Sequence, residues 1–214
     1  MRVKICGTAT LADLLCAVAA GADAVGFLMG ITHATQDAVS CAEAAAMIAT
    51  LPPFIEPVAV THLQKSEDLI KLAGVSHCAT LQIQDMVARK DIAEVRSALP
   101  YLRIVKAVHV TDESAVAAAK YFSNAADAII LDTRTAERLG GTGIPHDWAI
   151  SARIVEECSV PVILAGGLTP ENVAEAVRCV RPYAVDVHTG VKRNGVRDPE
   201  RTRAFVAKAR AAHL

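Results

Sequence analysis

Eight short runs of β-branched and apolar residues recur along this chain, and Ala-rich stretches with helical spacing lie between them. The candidate strands cover residues 3–6, 24–28, 56–60, 80–83, 103–108, 128–132, 162–165 and 184–188. The helical stretches cover 11–20, 42–50, 65–73, 91–98, 113–121, 147–157, 171–180 and 199–212. A strand followed by a helix, eight times over, predicts an α/β fold with a parallel sheet closed into one (β/α)8 TIM barrel across 1–214. A doubly wound open sheet has the same alternation, and periodicity alone does not separate the two. Apolar residues make up 52% of the chain and aromatics only 4%, which suits Ala-rich helices packed closely on small-residue strands. Thr169-Pro170-Glu171 and Asp198-Pro199-Glu200 each read as an N-cap followed by proline at the first helical position. The last helix is expected to seal the barrel beside the first.

The net charge of −1 provides no bulk field for nucleic acid or an anionic membrane, so any anion must be bound locally. The six cysteines form no CxxC pair and read as reduced thiols. The opening MRVKICGTAT lacks the apolar core of a signal peptide, and no apolar run reaches the ~18 residues needed to span a bilayer. A cytoplasmic protein is expected. The apolar helix faces suit either the core or a partner copy, which leaves monomer and homodimer both open.

Barrel chemistry sits at the C-terminal ends of the strands. Cys6 ends the first candidate strand and precedes Gly7; it reads as a buried thiol or as a reactive one. Asp132 closes the apolar run Ala128-Ile129-Ile130-Leu131, where a carboxylate either caps the next turn or works as an acid. Glycine-bearing turns containing Gly141 and Gly143, Gly166 and Gly167, and Thr189 and Gly190 follow the last three strands. Glycine lets backbone N–H groups approach an anion, and barrels often hold phosphate after strands seven and eight. These turns are candidate phosphate ligands.

Several ordered motifs run from residue 4 to about 206. They are Lys4-Ile5-Cys6-Gly7, Gly21-Ala22-Asp23-Ala24-Val25-Gly26-Phe27, Leu131-Asp132-Thr133, Leu139-Gly140-Gly141-Thr142-Gly143 and Asp147-Trp148. Leu164-Ala165-Gly166-Gly167-Leu168-Thr169-Pro170-Glu171-Asn172-Val173, Val185-Asp186-Val187 and Gly195-Val196-Arg197-Asp198-Pro199 follow. In this order they resemble the phosphoribosylanthranilate isomerase family, which acts in tryptophan biosynthesis. The resemblance implies an Amadori rearrangement of a phosphorylated aldosylamine, a small phosphorylated sugar substrate, to a 1-amino-1-deoxyketose. It implies Asp132 as general acid at the ring oxygen and Cys6 as general base at C2. Because the imine nitrogen serves as electron sink, it implies no cofactor and no metal.

The departures from the family pattern gather at strand ends. The family's Ser-Pro-Arg segment, whose arginine binds the anthranilate carboxylate, is replaced by Gly30-Ile31-Thr32-His33-Ala34-Thr35-Gln36-Asp37-Ala38-Val39-Ser40. Gln-Leu-His-Gly becomes Gln82-Ile83-Gln84-Asp85, and Ser-Ser-Gly-Val-Glu becomes His188-Thr189-Gly190-Val191-Lys192. His33, Gln36, His62, Gln84, His109, Arg134 and His188 are the candidate pocket residues. Loss of a bidentate clamp predicts the same reaction on an altered aglycone, unless another cation such as Arg134 or Lys192 takes over the carboxylate.

Histidines 33, 62, 109, 146 and 188 all fall at strand ends. If they converge, the alternative is a metal-dependent isomerase or epimerase of a phosphopentose. A non-catalytic phosphosugar-binding barrel is a further alternative, disfavoured because binding alone needs neither an acid nor a base.

Overall fold

A computed structural model of the chain describes residues 1–133 and 146–212. Eight parallel strands close into a barrel in chain order. They are β1 (Arg2–Ile5), β2 (Ala24–Leu28), β3 (Glu56–Thr61), β4 (Thr80–Ile83), β5 (Arg103–His109), β6 (Ala128–Asp132), β7 (Val162–Leu164) and β8 (Ala184–Val187). The helices are α1 (Leu11–Ala19), α2 (Cys41–Ile48), α3 (Ser66–Val75), α4 (Arg89–Ala98), α5 (Ser114–Ser123), α6 (Trp148–Glu157), α7 (Val173–Val180) and α8 (Pro199–Ala211). After β8 come a 3-10 turn (Thr189–Val191) and a short hairpin of β9 (Lys192–Arg193) and β10 (Val196–Arg197). The pairing of β1 with β8, Lys4 opposite Asp186 and Ile5 opposite Val187, closes the ring and excludes an open sheet. No helix among the described residues is long and apolar enough to cross a membrane.

Strand parity divides the side chains into two layers. Ile5, Phe27, Leu81, Ile104, Ile129, Leu131 and Val185 point outward and meet helix residues such as Leu14, Met47, Leu69, Ile92 and Val177. The interior holds two smaller apolar clusters. One is Cys6, Val58 and Val60 with Ala24 and Leu28; the other is Val105, Ala107, Ile130 and Ala165 with Ala128 and Ile163. Small interior residues leave room near the mouth for polar ones.

Local capping fixes where the helices begin. Thr10 with Asp13 starts α1 and Ser40 with Glu43 starts α2, each as a reciprocal capping box. Asp198 accepts N–H bonds from Glu200 and Arg201 at the start of α8, with Pro199 at the first position, as the sequence predicts. The seventh helix differs. It begins at Val173 rather than 171, because Thr169 forms a turn in which its N–H donates to Asn172 Oδ1 at 2.8 Å. The side chain two residues past the proline thus satisfies the turn, and Thr169 is not the cap. Contact between α8 and α1, with Arg210 donating to Gly21 O at 2.6 Å and to Asp23 at 3.1 Å, joins the two ends of the chain.

Lys106 on β5 points outward into the helix layer and is 2% exposed. Its ammonium donates to the Ala107 carbonyl, lies 3.5 Å from Ile83 O and sits 5.2 Å from the centre of the Phe122 ring. Burial lowers its pKa to about 8, against a smaller opposing effect of Asp85. Because the unfolded chain keeps the proton to 10.5, wild-type stability rises with pH between these values. Lys106→Met is expected to stabilise the fold by up to roughly 3 kcal/mol near pH 7. Urea unfolding should show that advantage shrinking as the pH approaches about 10, and a pH-independent difference would contradict the account.

Candidate active site

Cys6 follows β1 and is 5% exposed, facing the barrel interior. A Cβ placed on Gly26 of β2 would come within 2.9 Å of its sulfur, so the neighbouring strand must carry glycine for the thiol to fit. Two residues back on the same face, the Lys4 ammonium donates to Asp186 Oδ1 at 2.8 Å, and both side chains are buried. Burial works against the charge on Lys4, yet Asp186 and the adjacent Cys6 keep it protonated, with its pKa raised. Burial also pushes the Cys6 thiol up, while the positive charges of Lys4 and Arg197 pull it back.

Asp132 ends β6. Its Oδ1 accepts the Thr133 N–H at 2.8 Å, and its Oδ2 accepts from Gln84 Nε2 at 2.6 Å. Gln84 is oriented in turn by Gln82, whose Nε2 donates to Gln84 Oε1 at 2.9 Å. Gln82 and Gln84 share the inner face of β4 by parity, which makes a two-glutamine relay from the barrel interior to the carboxyl. The surroundings push Asp132 up to about 6, chiefly by burial and further by the charge of Asp186. Cys6 and Asp132 therefore both lie in the field of the Lys4–Asp186 pair. His109 Nε2 lies 3.2 Å from the Gln84 carbonyl.

The glycine turns after β7 and β8 meet beside Asp132. Gly166 has φ +79°, and a Cβ there would lie 2.3 Å from Thr133 Oγ1. Thr133 is held by His146 Nδ1 at 3.1 Å, and His146 Nε2 reaches Ser151 Oγ at 2.7 Å. Burial lowers the pKa of His146 to about 4, so it is neutral at physiological pH. Gly190 packs against the Leu168 carbonyl, which a Cβ would meet at 1.9 Å. The turns carrying Gly166, Gly167, Thr189 and Gly190 thus form one surface. Gly141, Gly143 and Arg134 lie outside the described residues.

The strand-end histidines do not converge. His33 and His62 sit with rings 5.1 Å apart, and Thr32 Oγ1 lies 3.2 Å from His62 Nδ1. His109, His146 and His188 each engage a different group. Among the described residues no three His, Cys, Asp or Glu side chains come together as a metal site. Gln36 is exposed at the rim, and its neighbour Asp37 turns inward instead. Asp37 Oδ2 accepts from His188 Nε2 at 2.7 Å and Oδ1 from Lys192 Nζ at 2.5 Å.

Several of these groups escaped a reading of strand ends: Lys4, Gln82, Asp37, Asp186 and Arg197. Parity with Cys6 and Gln84 was available for Lys4 and Gln82. Nothing local signals Arg197. Its Nη2 donates to the carbonyls of Cys6 at 2.6 Å and Gly7 at 3.0 Å, from a position 6% exposed. Its Nε and Nη1 are buried without a hydrogen-bond partner among the described residues.

Comparison with known proteins agrees with the fold. A family model described as N-(5'-phosphoribosyl)anthranilate (PRA) isomerase matches residues 3–208. N-(5'-phosphoribosyl)anthranilate isomerase 2 of Methanosarcina mazei is 39% identical over 98% of this chain and 94% of its own length. The crystal structure of phosphoribosyl anthranilate isomerase from Thermotoga maritima superposes with a TM-score of 0.86 at 32% identity, over 99% of both chains. A phosphoribosyl anthranilate isomerase solved in complex with reduced 1-(o-carboxyphenylamino)-1-deoxyribulose 5-phosphate superposes with a TM-score of 0.83 at 30% identity, again over 99% of both.

The buried Arg197 charge beside Cys6 favours the thiolate. Arg197→Met is therefore expected to slow alkylation of Cys6 by iodoacetamide at a fixed pH several-fold and to move its pH midpoint upward. Peptide mass spectrometry would follow Cys6 apart from the other cysteines. Arg197→Lys should recover part of the effect. An unchanged midpoint in a folded Arg197→Met protein would reduce Arg197 to a clasp on the Cys6–Gly7 turn.

Proposed function

The chain belongs to the N-(5'-phosphoribosyl)anthranilate isomerase family, and from that premise we propose that it converts N-(5'-phosphoribosyl)anthranilate to the corresponding 1-amino-1-deoxyribulose phosphate. Asp132 is the general acid. It protonates the furanose ring oxygen as the nitrogen lone pair forms the C1–N double bond and the C1–O bond breaks. Cys6 is the general base. Its thiolate removes the proton on C2, and the C2 electron pair moves into the C1–C2 bond while the iminium nitrogen is neutralised. The resulting enolamine tautomerises to the aminoketone. The amides around Gly166, Gly167, Thr189 and Gly190 cradle the phosphate, and a small phosphorylated sugar amine is the substrate class.

The observation that carries this reading is the shared pocket of Cys6 and Asp132, with a carboxyl pushed into the range of a working acid and a thiol flanked by two cations. Gln84 orients the acid through Oδ2, and that hydrogen bond moderates the rise in its pKa. A barrel that only bound phosphosugars would need neither group. The full-length relatedness to isomerases supports the anthranilate aglycone, and Lys192 offers a cation that can stand in for the lost arginine.

Turnover of freshly generated N-(5'-phosphoribosyl)anthranilate tests the reading. Cys6→Ala and Asp132→Asn are each expected to lower kcat roughly 10²-fold or more while the fold is retained. No turnover by folded wild-type protein would sink the assignment.

The pH dependence follows from the same pair. Below about 6 both groups hold protons. Above that value one proton remains, mostly on the sulfur, because the thiol is raised. The productive arrangement, a protonated Asp132 with a Cys6 thiolate, is the tautomer of that state and a constant fraction of it. The kcat/KM profile is thus expected to climb through about pH 6 and then stay level until the thiol ionises. A steady fall across pH 6 to 8 would contradict the assigned roles.

A further inference from the structure

Asp37 lies on the connection between β2 and α2, which returns to the barrel where Val39 N–H donates to Leu28 O at 2.9 Å. From there its carboxylate reaches past β1 to the segment after β8, more than 150 residues away in sequence. One oxygen takes the His188 imidazole at 2.7 Å and the other takes the Lys192 ammonium at 2.5 Å. The two donors come from consecutive parts of one segment, the end of β8 and the start of β9. Together they form a fork that fits a single carboxylate.

The fork sits beside the chemistry. The His188 ring packs against Gly7, where a Cβ would fall 2.2 Å from its Nε2, and Gly7 directly follows Cys6. Arg197 also contributes positive charge in the vicinity of Asp37. Lys192 is only 9% exposed at its side chain, so its charge is largely removed from solvent and needs a carboxylate partner. These two donors also stand where the family pattern has Ser and Glu, in a chain that lacks the family's carboxylate-binding arginine.

We propose that the His188–Lys192 fork is the seat for the substrate's aryl carboxylate, and that Asp37 occupies this seat in the unliganded protein and is exchanged for the substrate. The inference rests on the isomerase reading above. One carboxylate leaves and one enters, so charge and hydrogen-bond count at the fork are conserved. A ligand without a carboxylate cannot make the exchange, because it would leave a shielded lysine unpaired. Discrimination for an ortho-carboxylated arylamine then comes from displacement of an internal competitor. The competitor also lowers affinity for the correct ligand, since part of its binding energy goes into releasing Asp37.

Calorimetric binding of two ligands separates this account from its rivals. The first is reduced 1-(o-carboxyphenylamino)-1-deoxyribulose 5-phosphate; the second is the same molecule without the carboxyl group. Asp37→Asn is expected to bind the carboxylated ligand about tenfold more tightly and the other one unchanged within about twofold. Lys192→Met should bind the carboxylated ligand at least about tenfold more weakly and again leave the other unchanged. If Asp37 is a static strut for its loop, Asp37→Asn weakens both ligands alike, and the exchange is overturned. If Asp37→Asn leaves both affinities unchanged, the fork is not the seat and the proposal also fails, while the isomerase reading survives. Wild-type protein that binds neither ligand would overturn the isomerase reading itself.

Discussion

The buried ion pair between Lys4 and Asp186 is the interaction on which the rest of the site depends. The two residues stand opposite each other on β1 and β8, so they meet only because the barrel closes. Inside the barrel neither charge has bulk water, and each is tolerable only beside the other. The pair contributes no net charge, but it provides a local field with a cation next to Cys6 and an anion that raises Asp132. Removing either partner would leave the other buried and unpaired, at a typical cost of about 3–5 kcal/mol. The seam that closes the fold and the field that acts on Cys6 and Asp132 are therefore the same structure.

The arrangement of strands and helices was legible because it is local. Period-two and period-3.6 patterns mark each element, and Asp198 marks where the last helix begins, whereas the cap read at Thr169 lies at Asn172. Cys6, Asp132 and the Gly166–Gly167 turn were legible as strand-end residues whose type is unusual for a sheet. The contact of the last helix with the first was legible too; what escaped were the side-chain contacts made by closure of the ring. Arg197 reaches back 191 residues to the Cys6 carbonyl, and Asp37 after β2 meets His188 after β8 beside the strand that closes the ring. Neither contact leaves a trace in local periodicity. The histidines make the same point in reverse: of five similar positions only His33 and His62 meet, and the other three engage different groups around the ring.

Gln82 and Gln84 are an intermediate case. Their spacing places both on one face of β4, and hydrophobic patterning predicts that face to be filled by apolar side chains. Two amides there require partners, and they find them in each other and in Asp132. The family pattern has histidine where Gln84 stands. An amide cannot change protonation state near neutral pH, so the hydrogen bond to Asp132 stays a donor throughout the range in which Asp132 itself titrates. The Asp132 carboxyl is thereby fixed in orientation by a group that does not itself titrate.

Strand β8 concentrates the division of labour. Asp186 lies in the barrel and sets the field; His188 stands at the mouth over Gly7; Thr189 and Gly190 turn toward the loop after β7. Five consecutive residues thus touch the buried ion pair, the Gly7 turn and the loop after β7. A strand alternates its faces, so Asp186 and His188 share the inward direction while Val185 and Val187 anchor the outer core. That anchoring is why loop chemistry at this rim can change without loss of the acid–base pair. The rigid outer layer holds Asp186 in place whatever the next inward residue is. Position 188 therefore faces Asp37 and the Gly7 turn, while the pair of Lys4 and Asp186, one turn of the pleat below, makes its own contact independently of it.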